Sequence, residues 1–199
     1  MSSFKELSGF ELLQRIELRG ENSHSWIAVV VGSSLAPDAV EEFATEIQSQ
    51  SDENTNDRVV PIEGLLPSDI RDKVQSPGND AVVLLGFEDR SKDFWVGLDI
   101  NRSALERSGS LFFWLSYSAL SDLCRHAPNI RSYIGPSIFV LTGTKGALTA
   151  EEREQRLKEL AEKFKMSDSE IIQKAEEKQI EPEPEFVEWL LLLRRGDLV

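Results

Sequence analysis

Five short apolar runs do most to limit what this chain can fold into. They occupy residues 26–31, 58–62, 81–85, 110–115 and 138–141, and they read WIAVVV, RVVPI, AVVLL, SLFFWL and IFVL. The runs are rich in β-branched and aromatic residues, and they do not alternate with polar ones. This pattern is typical of strands that are buried on both faces, as in a parallel sheet. The sequence therefore predicts five core strands.

Helical patterns lie between these strands. Apolar residues recur at helical spacing in four segments, 37–49, 67–74, 94–107 and 118–125. Strand and helix therefore alternate through residue 141, and such alternation folds by right-handed crossovers. We expect an α/β fold: a three-layer, doubly wound, mainly parallel five-stranded sheet covered by helices.

The character of the sequence changes after this α/β domain. We place the domain at residues 1–147 and a small helical, lid-like appendage at 148–199, because the latter segment has no strand signal. Two helices are expected there first, and the spacing of Ser167 and Glu170 is that of a capping box. The connector EPEPE at 181–185 is expected to be extended, because a residue before proline is disfavoured in the helical region. A last helix follows at 186–195.

Charge and composition exclude several classes of function. The 199 residues include 35 acidic and 22 basic side chains, so the formal net charge is −13. Such a charge opposes a phosphate backbone and no basic stripe offsets it, so we expect no nucleic-acid partner. No apolar run approaches the roughly 20 residues that cross a bilayer, and the start lacks the pattern of a signal peptide. We therefore expect a cytoplasmic protein without a membrane partner.

Metal and thiol chemistry are not expected either. The chain has one cysteine and two histidines, which allow neither an internal disulfide nor the ligand spacing of a zinc site. Cys124 and His126 are two residues apart on a predicted helix and point in different directions, so we expect Cys124 to be a small buried apolar residue. Asp99 and Arg102, at i and i+3, are expected to form a surface ion pair.

The first strand leads into a segment that resembles a phosphate-binding loop only at its start. Ligands of doubly wound sheets bind beyond the carboxyl ends of the strands, and there this chain reads GSSLAPDA against the spacing GxxxxGK[ST]. Gly32 fits the first glycine, but Pro37 replaces the second and Asp38 replaces the lysine. An aspartate in the first turn stabilises a helix start and repels phosphate. The segment favours a capped helix over a nucleotide site.

The third strand ends in an acidic segment, AVVLLGFEDRS. Together with the order of elements, this segment resembles the AAA+ and STAND class of P-loop NTPases in a degenerate form. In that family the strand commonly ends in hhhhDGLDE; here Leu85 stands where the magnesium-binding Asp belongs, and residues 86–89 match the rest. Glu88 and Asp89 are the acids that remain.

This resemblance carries expectations about function. It implies that neither the phosphate-binding nor the magnesium-binding residues are retained, and hence no catalysis and no cofactor. The segments LDINRSALERSGSLFFWLS and LCRHAPNIRSYIG are also similar to segments of bacterial conflict and signalling proteins.

The C-terminal helix is the feature that suggests a partner. In FVEWLLLL, apolar side chains cover almost the whole circumference of a short helix. One face can pack on the domain, and an exposed second face would mark a protein interface. The candidate contact residues are Phe186, Trp189, Leu190 and Leu193. The alternative is that both faces dock in a cleft of the chain's own domain.

These observations predict a non-catalytic adaptor or regulatory protein that acts through protein contacts in a bacterial conflict or signalling system. The alternative is a nucleotide-dependent switch or NTPase with an unconventional site. That site would use Ser33, Ser34, Glu88 and Asp89.

Overall fold

The structure, a computed structural model, describes residues 6–7, 25–31, 45, 58–75, 81–107, 109–141, 150–181 and 183–199. The strands are β1 (Glu6–Leu7), β2 (Ser25–Val30), β3 (Arg58–Pro61), β4 (Val82–Leu85), β5 (Ser110–Leu115) and β6 (Ile138–Leu141). The helices are α1 (Pro67–Val74), α2 (Lys92–Ile100), α3 (Tyr117–His126), α4 (Pro128–Ile134), α5 (Ala150–Phe164), α6 (Asp168–Glu176) and α7 (Pro184–Leu192). Short 3-10 helices follow at Arg102–Leu105 and Gly196–Leu198.

The strands form one open sheet in the order β1-β6-β2-β5-β4-β3, and every neighbouring pair is parallel. The predicted α/β class, with a three-layer fold built on a mainly parallel sheet, is confirmed. Each of the five predicted strands is present, with ends within one residue of the prediction. β1 is an additional strand at the edge beside β6. It has only two residues, so no apolar run marks it in the sequence.

Both faces of this sheet are buried, as the runs without alternation predict. On one face, Ala28, Leu84 and Phe113 pack with residues of α1 to α4 and α7. On the other face, Val29, Phe112 and other side chains of β2, β4, β5 and β6 form a second apolar cluster. Burial of this apolar area is the main source of stability of the sheet.

α1 and α3 have bounds close to the predicted ones, and α2 is shorter than predicted. α1 begins at Pro67 as predicted, because proline suits the first helical position. α3 begins after Ser116, whose Oγ accepts a hydrogen bond from the Ala119 amide at 3.2 Å. α2 ends at Ile100, where Asn101 Nδ2 donates to the Gly97 carbonyl at 2.8 Å. Of the predicted helix at 37–49, only Thr45 is described, and it is helical.

A fourth helix, α4, was not predicted, and Asp99 fixes its start. Asp99 is buried, and its carboxylate accepts hydrogen bonds from the Ile130 amide at 2.8 Å and from Asn129 Nδ2 at 2.7 Å. The Ile130 amide is one of the donors that a helix start leaves unsatisfied. The predicted surface ion pair is therefore wrong: Arg102 donates to the backbone carbonyl of Asp99 at 3.4 Å.

The C-terminal segment is helical, as predicted, and has an apolar cluster of its own. The last helix was expected at 186–195 after an extended connector at 181–185; α7 instead spans Pro184–Leu192, because proline suits the first turn of a helix. Leu160, Ile171 and Trp189 are buried in that cluster, one from each of the three helices. The capping box before α6 is confirmed: the Ser167 amide donates to Glu170 Oε2 at 2.7 Å, and the Glu170 amide donates to Ser167 Oγ at 3.3 Å. The proposed boundary between residues 147 and 148 lies outside the described residues.

Candidate functional site

The carboxyl ends of the parallel strands lie at one edge of the sheet, where the sequence places the site. β4 ends at Leu85 and β5 ends at Leu115, and the amide of Val31, just after β2, donates to the Leu115 carbonyl at 3.0 Å. Gly32 and Asp38, with the adjacent Ser33 and Ser34, lie outside the described residues. The described part of the site therefore comes from the ends of β3, β4 and β5.

Leu85 occupies the position of the magnesium-binding acid in the resembled family. Its side chain is half-buried and packs against the second apolar cluster of the sheet. A leucine side chain there offers no oxygen to a cation, the Leu85 carbonyl accepts from the Ile62 amide at 2.9 Å, and magnesium requires oxygen ligands.

Residues that pack against the turn after β4 restrict its backbone conformation. Gly86 has φ +93°, and a Cβ added to it would lie 2.9 Å from Glu63 Cγ, so glycine is needed both for conformation and for space. Phe87 is fully buried and stacks on Trp95 with ring centroids 5.3 Å apart. The turn therefore presents the next two residues, Glu88 and Asp89, at the edge of the sheet.

Glu88 is held between two strand ends. Burial is the main cause that raises the pKa of its carboxyl, and the negative charges of Asp89 and Glu63 raise it further. Backbone hydrogen bonds at Glu88 and at Ser116 oppose this rise. Glu88 Oε1 is buried without a hydrogen-bond partner among the described residues. Such a carboxylate costs free energy when it is ionised.

The strand ends enclose an open pocket of about 350 Å³ that is predominantly acidic. Glu63, Glu88 and Asp89 line it, and Arg90 is the one cationic side chain among the described residues of the lining. Arg90 Nε donates to the Gly86 carbonyl at 3.0 Å, and Nη2 donates to the Ile62 carbonyl. The guanidinium also lies 4.7 Å from the centroid of the Phe94 ring. These contacts fix the position of the Arg90 guanidinium. Because three carboxylates line the pocket, it disfavours an anion such as a phosphate.

Sequence reasoning identified Glu88 and Asp89 at this edge and missed Glu63 and Arg90. Glu63 directly follows the predicted strand at 58–62, so the same rule about strand ends was sufficient to find it. The role of Arg90 depends on carbonyls of two strand ends, which no local pattern reveals. Within the described residues, no group of three or more histidine, cysteine, aspartate or glutamate side chains is arranged to hold a metal ion.

The candidate partner-binding residues of α7, and Leu193 directly after it, pack against the apolar cluster of the appendage. Trp189 and Leu190 are buried, and Phe186 and Leu193 are partly buried against the same apolar cluster. The opposite side of α7 contributes Val187 and other residues to the main core. The expectation of an exposed second face is therefore wrong, and the alternative, docking of both faces within the chain's own fold, is what the structure shows.

Hydrogen bonds and an ion pair also connect α7 to the rest of the appendage. Arg156 of α5 pairs with both carboxylate oxygens of Glu188, at 2.8 and 2.9 Å, and Arg153 donates to the Leu192 carbonyl at the helix end. Trp189 Nε1 donates to Asp168 Oδ1 at 2.9 Å, at the start of α6. Polar contacts thus support the apolar docking of this helix.

Comparisons with known proteins leave the function to be argued from the chain itself. The chain matches no protein-family model, no curated protein and no solved structure. Among the described residues, no helix combines the length and apolar character that a bilayer crossing requires.

The raised pKa of Glu88 leads to a testable pH dependence. A carboxyl whose pKa is higher in the folded state favours folding at a pH below the ordinary glutamate pKa. It opposes folding at a higher pH, where the carboxyl is ionised in both the folded and the unfolded state. We expect Glu88→Gln to raise the free energy of unfolding near neutral pH, and we expect this gain to disappear below about pH 4. Urea unfolding of both proteins across this range measures the difference. A difference that does not vary with pH would contradict the assignment.

Proposed function

We propose that this chain is a non-catalytic adaptor or regulatory protein that acts through contacts with other proteins. The observation that carries the proposal is the chemistry of the strand ends: an apolar Leu85 in place of a metal ligand, beside a pocket with three carboxylates and one constrained arginine. Phosphoryl transfer depends on cations that neutralise the transferred group, and the described part of this edge supplies the opposite charge. The resemblance to degenerate P-loop proteins of bacterial conflict and signalling systems supports the same function.

We propose a partner surface on α2 rather than on α7. Contact through α7 requires that helix to leave its cleft, whereas Val96 and Ile100 of α2 lie one turn apart on the same exposed face. Ile100 is 71 % exposed, which is high for a large apolar side chain. The exposed charged residues of α2, Lys92 and Asp93, balance each other, so the complementary surface that we propose on a partner is apolar.

Capture from the native host tests this contact. Wild-type protein is expected to retain a partner that Ile100→Glu loses, because a charge on an apolar contact face is costly to bury. Leu66→Glu is the matched control, since it makes the same change at a side chain of similar exposure, 64 %. A partner retained equally by both variants would exclude the α2 face, and the absence of any specific partner would contradict the adaptor function.

The alternative, a nucleotide-dependent switch or NTPase, rests on the two acids at the strand ends. Glu88 has a buried unpartnered oxygen there, and Asp89 is beside it. Thermal melting with millimolar ATP or GTP and magnesium distinguishes the two functions. A ligand that binds only the folded state at a thousandfold excess over Kd stabilises it by about 4 kcal/mol. A shift of several degrees would favour the alternative.

We also expect no measurable ATPase or GTPase activity. Leu85 provides no metal ligand, and Arg90 is held by carbonyls of the chain, so the described strand ends do not stabilise a developing phosphoryl charge. Phosphate release by wild type should equal that of the double variant Glu88→Ala, Asp89→Ala, measured with the same preparation. Turnover above this control would contradict the prediction.

A further inference from the structure

A cavity of about 200 Å³ lies where the α/β domain meets the C-terminal helices. α3 and α4 form one side of it, and α6, α7 and the residues after them form the other. Among the described residues, it shares no lining residue with the acidic pocket at the strand ends. Its apolar lining comes from Ala175, Ile180, Phe186, Val187, Leu190 and Leu198.

The size of the cavity limits the ligand. An apolar cavity of about 150 Å³ in another protein is large enough to bind benzene, whereas drug-sized ligands occupy pockets of about 300 Å³ or more. The cavity here therefore suits an apolar body of roughly six carbon atoms.

The polar part of the described lining carries charges of both signs. Among the described residues of the lining, Arg131 and Lys178 are the cations and Glu181 is the acidic side chain. Arg131 is fixed in place because its Nε and Nη2 donate to a terminal carboxylate oxygen of Val199, the last residue of the chain, at 3.1 and 2.7 Å, so its charge is already compensated. Lys178 takes part in none of the ion pairs found among the described residues.

Cys124 completes the apolar wall rather than adding a reactive group. Burial raises the pKa of its thiol to about 11, and the nearby Arg131 guanidinium opposes this only in part. At neutral pH the sulfur is therefore protonated and behaves as a small apolar surface. The cavity thus combines an apolar interior with an exposed lysine in its lining, Lys178, that forms no ion pair with a described carboxylate.

We propose that this cavity binds a small amphiphilic carboxylate, with its apolar body among the side chains of α7 and its carboxylate beside Lys178. The cavity borders both the α/β domain and the appendage, so an occupant would contact both and stabilise their association. The proposal is independent of the adaptor function, since it concerns a different part of the molecule.

Three probes of equal carbon number test the full-length protein: hexanoate, 1-hexanol and hexylamine. Titrations followed by methyl NMR should give saturable shifts at Val187, Leu190 and Leu198 with hexanoate. We expect hexanoate to bind about fivefold more tightly than hexanol, which is the effect of one partly exposed charge pair, and hexylamine to bind most weakly. Equal affinities for the three probes, or shifts that do not saturate, would overturn the proposal.

Three substitutions on and near α6, one of them a control, separate the roles of charge and space. Lys178→Gln should reduce the preference for hexanoate over hexanol to about twofold or less, while Lys174→Gln, the same change on α6 outside the lining, should leave it intact. Ala175→Leu should weaken the binding of both probes by filling the cavity. If Lys178→Gln keeps the full preference, or a folded Ala175→Leu binds as wild type does, the cavity is not the site.

Discussion

Replacing Trp114 by alanine is expected to lower the free energy of unfolding by about 3–5 kcal/mol. Trp114 is 2 % exposed and lies in β5 opposite Val29 of β2, within the second apolar cluster of the sheet. Removal of an indole there loses its transfer free energy and leaves a cavity that neighbouring strands fill only in part. For a chain of this length, the melting temperature should fall by roughly 6–20 °C.

The control for this experiment is Ile100→Ala. Ile100 is an exposed residue of α2, so its truncation should change the free energy of unfolding by only about 0.5 kcal/mol. Both variants are measured by chemical denaturation with the same probe, so that the slopes can be compared. If Trp114→Ala melts within roughly two or three degrees of wild type, its place in a central strand is wrong.

The sheet could be predicted from sequence because its signal is local. A strand that is buried on both faces is apolar throughout, so the runs at 110–115 and 138–141 coincide with β5 and β6. The start of α1 is marked in the same way, since Pro67 suits the first turn of a helix and no interior position. Position in the chain and residue type were sufficient for these elements.

The elements that were missed depend on contacts between distant residues. α4 has seven residues, and its first turn is capped by Asp99, which lies about thirty positions earlier in the chain. β1 is stabilised by pairing with β6, at the other end of the α/β domain. No window of local sequence contains both partners of such a contact.

The strand-end site was predicted in part for the same reason. Glu88 and Asp89 follow an apolar run, so their place at the edge of the sheet follows from the strand. That Arg90 would donate to carbonyls of two strand ends depends on the packing of β3 against β4. The cavity beside Lys178 is still less accessible to prediction, because its walls come from segments about fifty residues apart.

The two alternatives for the C-terminal helix differ only in what covers its second face. A helix that is apolar all round is typically buried, and sequence alone does not say whether its own chain or another chain buries it. The contacts that distinguish these alternatives are polar and join residues far apart in the sequence: Arg156 pairs with Glu188, and Trp189 donates to Asp168. These contacts hold α7 against its own chain.

We expect Trp189→Ala to lower the free energy of unfolding by about 3–5 kcal/mol, mainly by disrupting the appendage. Trp189 is fully buried, stacks on Phe164 with ring centroids 6.1 Å apart, and hydrogen bonds to Asp168. Because α7 also contributes Val187 and Leu191 to the main core, part of the loss should reach the α/β domain. Denaturation followed by circular dichroism and by tryptophan fluorescence measures both effects.

The matched variant Trp189→Phe separates packing from the hydrogen bond. Phenylalanine keeps most of the apolar volume but cannot donate to Asp168, so its cost should be the smaller one, about 1–3 kcal/mol for the lost volume and the unsatisfied acceptor. A core residue gives this graded loss of stability whether or not a partner is present. If Trp189→Ala is as stable as wild type and fails only to bind a partner, then Trp189 contacts the partner and the docked position of α7 is wrong.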